Sequence, residues 1–111
     1  MNDQSTTIAE IKSRIADFAR ERDWERYHTP KNLACAIAAE AGELLELFLW
    51  QEEARRERLE EEAADVAICL LNLCQVAGID LAAAIERKMD HNAEKYPADK
   101  VRGSARKYDE Y

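Results

Sequence analysis

The chain has 111 residues, with 23 acidic against 16 basic side chains and a formal net charge of −7, a balance that excludes a broad electrostatic footprint for nucleic acid or an anionic membrane. Its length sets one domain with a modest core, and Ala, Glu, Leu, Arg and Lys dominate over three Gly and two Pro, so an all-α fold is expected. The N-terminus is polar, without a basic segment leading into an apolar one, and no uncharged apolar run reaches the length of a bilayer span, so the expectation is a soluble, cytoplasmic protein.

Thr7 followed by Glu10 is a capping-box pattern, and Ile8, Ile11, Ile15 and Phe18 recur at helical spacing, which predicts a first helix from about Thr7 to about Arg22. Trp24, Tyr27 and His28 then fall in a connector. Thr29 before Pro30 marks the next start, since Thr accepts from the orphan amides of a helix N-terminus and Pro is tolerated at the first helical position. This second helix is predicted to run to about Trp50. The segment 51–61 is dense in charge and reads as a short loop followed by the first turns of a third helix. From Leu59, the positions Ala63, Val66, Leu70, Leu73 and Val76 keep one apolar face until Gly78 stops it. Asp80 caps a fourth helix with Leu81, Ala84, Ile85 and Met89 on its buried side, ending near Tyr96 because Pro97 follows. Residues 97–111 lack an apolar period and read as an irregular tail, biased basic by Lys100, Arg102, Arg106 and Lys107. Cys35, Cys69 and Cys74 match neither a zinc nor a disulfide spacing and are expected as reduced core residues.

The second predicted helix contains LACAIAAEAGELLELFL, residues 33–49, an apolar run interrupted by Glu40, Glu43 and Glu46. Glu40 and Glu43 form an ExxE pair whose Cβ atoms lie roughly 5–6 Å apart on one helix face. No basic residue stands three or four positions from any of the three glutamates, so an intrahelical ion pair does not compensate them. Eighteen residues beyond Glu43, Glu62 and Asp65 repeat the spacing as ExxD, room for the chain to turn back and bring four carboxylates together. Hard oxygen ligands of this kind suit Mg²⁺, which keeps several waters and takes further ligands from substrate phosphates. A solvated face is the ordinary explanation of a single acidic pair, and Glu62 has a local partner in Arg58. The apolar surroundings of Glu40 and Glu43 make bare charge costly without pairing or a metal. A di-iron bundle would need ExxH on two helices; only Glu25 to His28 has it, in a connector, and Lys88 stands where His91 would need its glutamate.

The pattern ExxE, a gap of eighteen, then ExxD on consecutive helices resembles the MazG-like superfamily of all-α nucleoside triphosphate pyrophosphohydrolases. The runs RDWERYHTPKNLACAIAAEAGELLELFLWQ and KMDHNAEKYPADKVRGSARKY resemble its dCTP pyrophosphatase branch in particular. The resemblance implies a four-helix bundle completed by dimerisation or tetramerisation. It also implies hydrolysis of a (deoxy)nucleoside triphosphate, dCTP or a related pyrimidine nucleotide, to monophosphate and pyrophosphate. Glu40, Glu43, Glu62 and Asp65 would then bind Mg²⁺, with one of the glutamates as general base; the spacing does not distinguish which. The resemblance places Trp24 and Trp50 around the base, where the residues alone read as helix-end packing, and gives Lys88, Asn92, Lys95 and Tyr96 to the phosphates. Lys31 and Asn32, in the first turn of the second helix, are placed either to reach a base or simply to cap the backbone. Lys88, Asn92 and Tyr96 share a helix face by their four-residue steps. Glu46 reads as a structural or water-orienting residue and Glu61 as solvent-facing. Cys69, four residues after Asp65, departs from the aromatic hydroxyl of animal dCTP pyrophosphatases, which leaves the preferred base open. The resemblance favours the basic tail, with Arg106 and Lys107, as an arm onto a neighbouring subunit. Two other readings stand beside the enzyme: a catalytically silent helical module binding a nucleotide or protein partner, and a structural dimerisation domain whose acids all face water.

Overall fold

The computed structural model describes residues 1–104, among which there are five α-helices and one short 3₁₀ turn, with no strand. The helices are α1 (Ile8–Glu21), α2 (Pro30–Glu46), α3 (Arg56–Val76), α4 (Leu81–Lys95) and α5 (Ala98–Val101), and the 3₁₀ turn spans Glu25–Tyr27. Two compact units are distinct, Met1–Ile79 and the residues from Asp80 onward.

Three of the helix starts are capped as the sequence predicts. Thr7 Oγ1 accepts from the Glu10 amide at 3.1 Å, Thr29 Oγ1 from Asn32 at 3.1 Å and Asp80 Oδ1 from Ala83 at 3.0 Å, each satisfying a donor that the helix itself leaves unpaired. Pro30 occupies the first turn of α2, where its missing N–H costs nothing. Gly78 adopts φ +69° after α3, and the Ile79 amide reaches back to the Cys74 carbonyl at 2.7 Å, closing the helix through a left-handed residue. Lys12 of α1 donates to the Ile79 carbonyl at 2.7 Å and ties that corner to the first helix.

In the first unit α3 packs against both α2 and α1. The seam of α2 is Leu33, Ala36, Ile37, Glu40, Leu44 and Leu47, buried or half-buried at a period of three and four residues. Leu33, at 4% exposure, anchors it, together with Ala19 of α1 and Leu71 and Cys74 of α3. Helix α2 stops at Glu46, four residues short of the predicted end at Trp50. The amides of Leu47 and Phe48 bond the carbonyls of Leu44 and Leu45, three residues back, so the helix tightens and closes although the sequence stays apolar. Helix α3 begins at Arg56, inside the segment read as loop and first turns.

Burial corrects several expectations. Ala63, Leu70 and Val76 of the predicted α3 face are exposed, and so are Ile85 and Met89 of α4. No large side chain is fully buried among the described residues, and Phe18, Leu45, Leu49 and Ile68 remain between 45% and 61% exposed. Periodicity identified apolar faces that nothing within the described chain covers. Cys74 is buried, Cys69 half-buried and Cys35 exposed, so only one of the three free cysteines is a full core residue.

The second unit consists of α4 and α5. Tyr96 terminates α4, its amide donating to the Asn92 carbonyl at 2.8 Å. Residues 97–101, read as irregular, instead contain a one-turn helix opened by Pro97, whose extended ψ of 131° suits the residue before a helix start. Arg106 and Lys107 lie outside the described residues. No single helix among the described residues is long and apolar enough to cross a membrane.

Candidate functional site

The seam between α2 and α3 carries its own exception to apolar packing. Glu40 falls in line with Ile37 and Leu44, and Glu62 faces it from α3 at 6% exposure, so each helix places one acid in the packed interface. Glu43 and Asp65, one turn away on their helices, stand at the exposed edge. Each of the four residues offers a carboxylate oxygen within 4.8 Å of those of the other three. The ExxE and ExxD spacings therefore do bring both pairs to one point.

Electrostatics inside this cluster is adverse to the bare protein. The hydrogen bond shared with Glu43 holds the Glu40 carboxyl above its usual pKa, reinforced by burial and by the charges of Glu43, Asp65 and Glu62. Burial does the same for Glu62, helped by Glu43 and Asp65 and opposed by Arg58. Among the described residues, one ion pair reaches the four acids, from Arg58 Nη2 to Glu62 Oε1 at 3.4 Å. Glu40 Oε2 and Glu62 Oε2 are buried without a hydrogen-bond partner. Buried polar atoms without partners are rare and call for a ligand, and four carboxylate donors without nitrogen or sulfur are the set a hard divalent cation takes. The residues fit a metal.

Two cavities lie near the acids, one lined by two of them and the other reaching Cys69, one turn after Asp65. One, of about 420 Å³, is polar and lined by Glu43, Glu46, Leu47, Arg58 and Glu62. The other, of about 240 Å³, is largely apolar, with Trp24, Phe18, Ile68 and Cys69 in its wall and the polar groups of His28, Asn32 and Asn72 among them. Its wall is built on the connector. Asp23 turns the chain at φ +55°, the Trp24 amide returns to the Ala19 carbonyl at 2.9 Å, and the indole meets the Phe18 ring edge to face with centroids 5.8 Å apart. Asn72 of α3, 8% exposed, pairs with His28 through Nδ2 and Nδ1 at 3.0 Å and fastens the connector from the other side. Burial, with Glu40 and Asp65 nearby, pushes the Cys69 thiol up in pKa, so it stands there as a neutral thiol.

The remaining expected site residues are distributed more widely. Asn32 lines the apolar cavity, but its amide donates to the Tyr27 carbonyl at 2.9 Å and so also braces the connector. Lys31 is exposed in the first turn of α2. Trp50 is 94% exposed in the turn beyond α2, away from the packed seam. Lys88 and Asn92 lie on α4 with Lys95, while Tyr96 is its cap at φ −124°, so the shared helix face ends at Asn92. Sequence reading missed Asn72 and gave no role to His28. The available signal was Asn72's place seven residues after Asp65, two turns along the same face.

A MazG-like family model matches residues 35–111, a span that holds both acidic pairs. The chain belongs to the MazG-like family. Of proteins similar to this family member, dCTP pyrophosphatase 1 of Homo sapiens is 44% identical over 94% of the chain and 67% of its own length. The Rattus norvegicus protein of the same name is 43% identical over 92% of the chain and 66% of its length. The MazG-like chain thus spans about two thirds of the length of the curated relatives it matches. Among solved structures, a pyrophosphatase from Archaeoglobus fulgidus superposes with a TM-score of 0.78 at 40% identity, covering 87% of this chain and 98% of that one. Its likeness agrees with the all-helical architecture.

Proposed function

We propose that the protein is a Mg²⁺-dependent nucleoside triphosphate pyrophosphohydrolase acting on dCTP or a related pyrimidine deoxynucleotide, with a housecleaning role in the cytoplasmic nucleotide pool. The observation that carries this reading is the convergence of Glu40, Glu43, Glu62 and Asp65, two of them with buried unpartnered oxygens. The relatives named dCTP pyrophosphatase 1 support the substrate class. In the reaction, a water oxygen bonds to the α phosphorus, the bond between that phosphorus and the α–β bridging oxygen breaks, and pyrophosphate leaves with that oxygen and the electron pair. Glu40, Glu43, Glu62 and Asp65 would hold Mg²⁺, which would supply neutralisation of phosphate charge and lower the pKa of a water there.

The chain's own residues have distinct tasks in this scheme. A glutamate of the cluster takes the proton that the attacking water loses. Trp24 offers an indole face to a pyrimidine, and the His28, Asn32 and Asn72 groups in the same cavity provide the few polar contacts that distinguish one base from another. Cys69, a neutral thiol, takes the place of a stronger hydrogen-bonding group, and modified cytosines belong among the candidate substrates. Lys88, Asn92, Lys95 and Tyr96 are assigned to the phosphates, Lys31 to the base end, and Arg106 and Lys107 to an arm reaching a neighbouring subunit. The exposed Trp50, Leu45 and Leu49 surface is covered by a second copy in a homodimer or homotetramer.

The test is a panel of nucleoside triphosphates, modified cytosines included, incubated with the purified protein and Mg²⁺ and resolved by ion exchange. Monophosphate with pyrophosphate is the expected product pair. Diphosphate with orthophosphate rejects α–β cleavage, and absence of turnover for every nucleotide leaves the chain as a silent binding module.

A further inference from the structure

Glu62 differs from the other three acids in how its two oxygens are used. Oε1 lies 3.4 Å from Arg58 Nη2, whereas Oε2 is buried with no partner. The carboxyl is 6% exposed, so water does not share the work of orienting it. Arg58 stands one turn before Glu62 on α3, itself 53% exposed at the side chain, and its second nitrogen lies 3.6 Å from Glu61 Oε2. The guanidinium thus spans from the solvent-facing Glu61 to the edge of the acidic cluster, along the wall of the polar cavity.

We propose that Arg58 is a positioning residue for the metal centre: by engaging Glu62 Oε1 it fixes the carboxylate rotamer that leaves Oε2 as the oxygen presented to the cation. This inference rests on the metal reading of the four acids. Partners behind a ligating carboxylate hold its orientation, and their loss typically lowers metal affinity 10–100-fold. A cation beside a metal site also repels the ion, which would make Arg58 unfavourable to binding. Its half-exposed position screens that repulsion, and the orientation of a buried ligand decides the sign.

Mn²⁺ binding to the whole chain, followed by electron paramagnetic resonance without nucleotide, tests the assignment. Arg58→Ala is expected to weaken Mn²⁺ at least tenfold, Arg58→Lys to recover to within about threefold of the parent by keeping a charged donor, and Glu61→Ala to bind at least as well as the parent by releasing the guanidinium from its competitor. Arg58→Ala binding as tightly as the parent, or more tightly, overturns the inference, as does a Lys variant no better than Ala. Failure of the unsubstituted protein to bind Mn²⁺ refutes the metal reading itself, a distinguishable outcome. Thermal unfolding in the absence of metal separates lost positioning from lost folding: Arg58→Ala, which strips the cluster of its one counter-charge among the described residues, is expected to melt somewhat lower than the parent but still in a single cooperative transition.

Discussion

Replacing Glu62 by Gln should move the metal-free and metal-loaded proteins in opposite directions. Four ionised acids carry a formal charge of −4, against which Arg58 sets a single positive charge, leaving −3 in a cluster whose oxygens lie within 4.8 Å. The Gln variant lowers that to −2 and removes the buried carboxylate that resists ionisation, so its metal-free melting temperature rises. With metal, the accounting reverses. A divalent ion at a hundred times its dissociation constant stabilises a folded chain by ~2.7 kcal/mol, roughly 10 °C for a domain of this size. If the variant binds a hundredfold less tightly, the same ion concentration only equals its dissociation constant, and the increment falls to ~0.4 kcal/mol, under about 2 °C. Circular-dichroism melting at fixed ionic strength, with and without Mg²⁺, reads both effects. A variant that melts lower than the parent without metal, yet gains the same increment with it, refutes the reasoning.

Three further outcomes follow from the same geometry. Glu40 and Glu62 have raised folded pKa values, so the stability they contribute to the metal-free protein is fully present below the unfolded value of 4.5 and is lost as pH rises through the folded values; urea midpoints should fall over that window more steeply for the parent than for a Glu40→Gln, Glu62→Gln double variant. Leu33→Ala empties the best-buried position of the α2 seam and should cost about 2–4 kcal/mol in urea unfolding. Asn72→Ala removes the buried partner of His28, with a cost of about 1–3 kcal/mol, and should raise KM for nucleotide more than it lowers kcat because the connector carrying Trp24 loosens.

The parts of the fold governed by local chemistry were legible in the sequence. Thr7, Thr29 and Asp80 cap as their residue types require, and Gly78 ends α3 because a left-handed residue is cheap only there. The ExxE pair was legible because two conditions coincide, helical spacing and the lack of any intrahelical counter-charge; the ExxD pair was legible through the repeated spacing alone, since Arg58 stands one turn before Glu62. The end of α2 was not, since LFLW continues the apolar pattern while the backbone tightens into three-residue bonds. Burial was legible only as periodicity: Leu70, Ile85 and Met89 lie on apolar faces as predicted, but the period of a helix does not fix whether another element packs on that face. Asn72 escaped because its seven-residue offset from Asp65 is a weak signal for one Asn among leucines, and its partner His28 lies 44 residues away in the chain.

The early stop of α2 has a consequence for the order of events. Its last turn contains no basic residue and closes on Glu46, so its final carbonyls add roughly half a negative charge beside Glu43 and Glu46. This end of the hairpin attracts small cations and repels a bare triphosphate, both effects fading with salt. Under the proposed function, this charge favours a nucleotide that meets a site already loaded, or that brings its cation with it, over a bare triphosphate, and where the helix ends sets that bias.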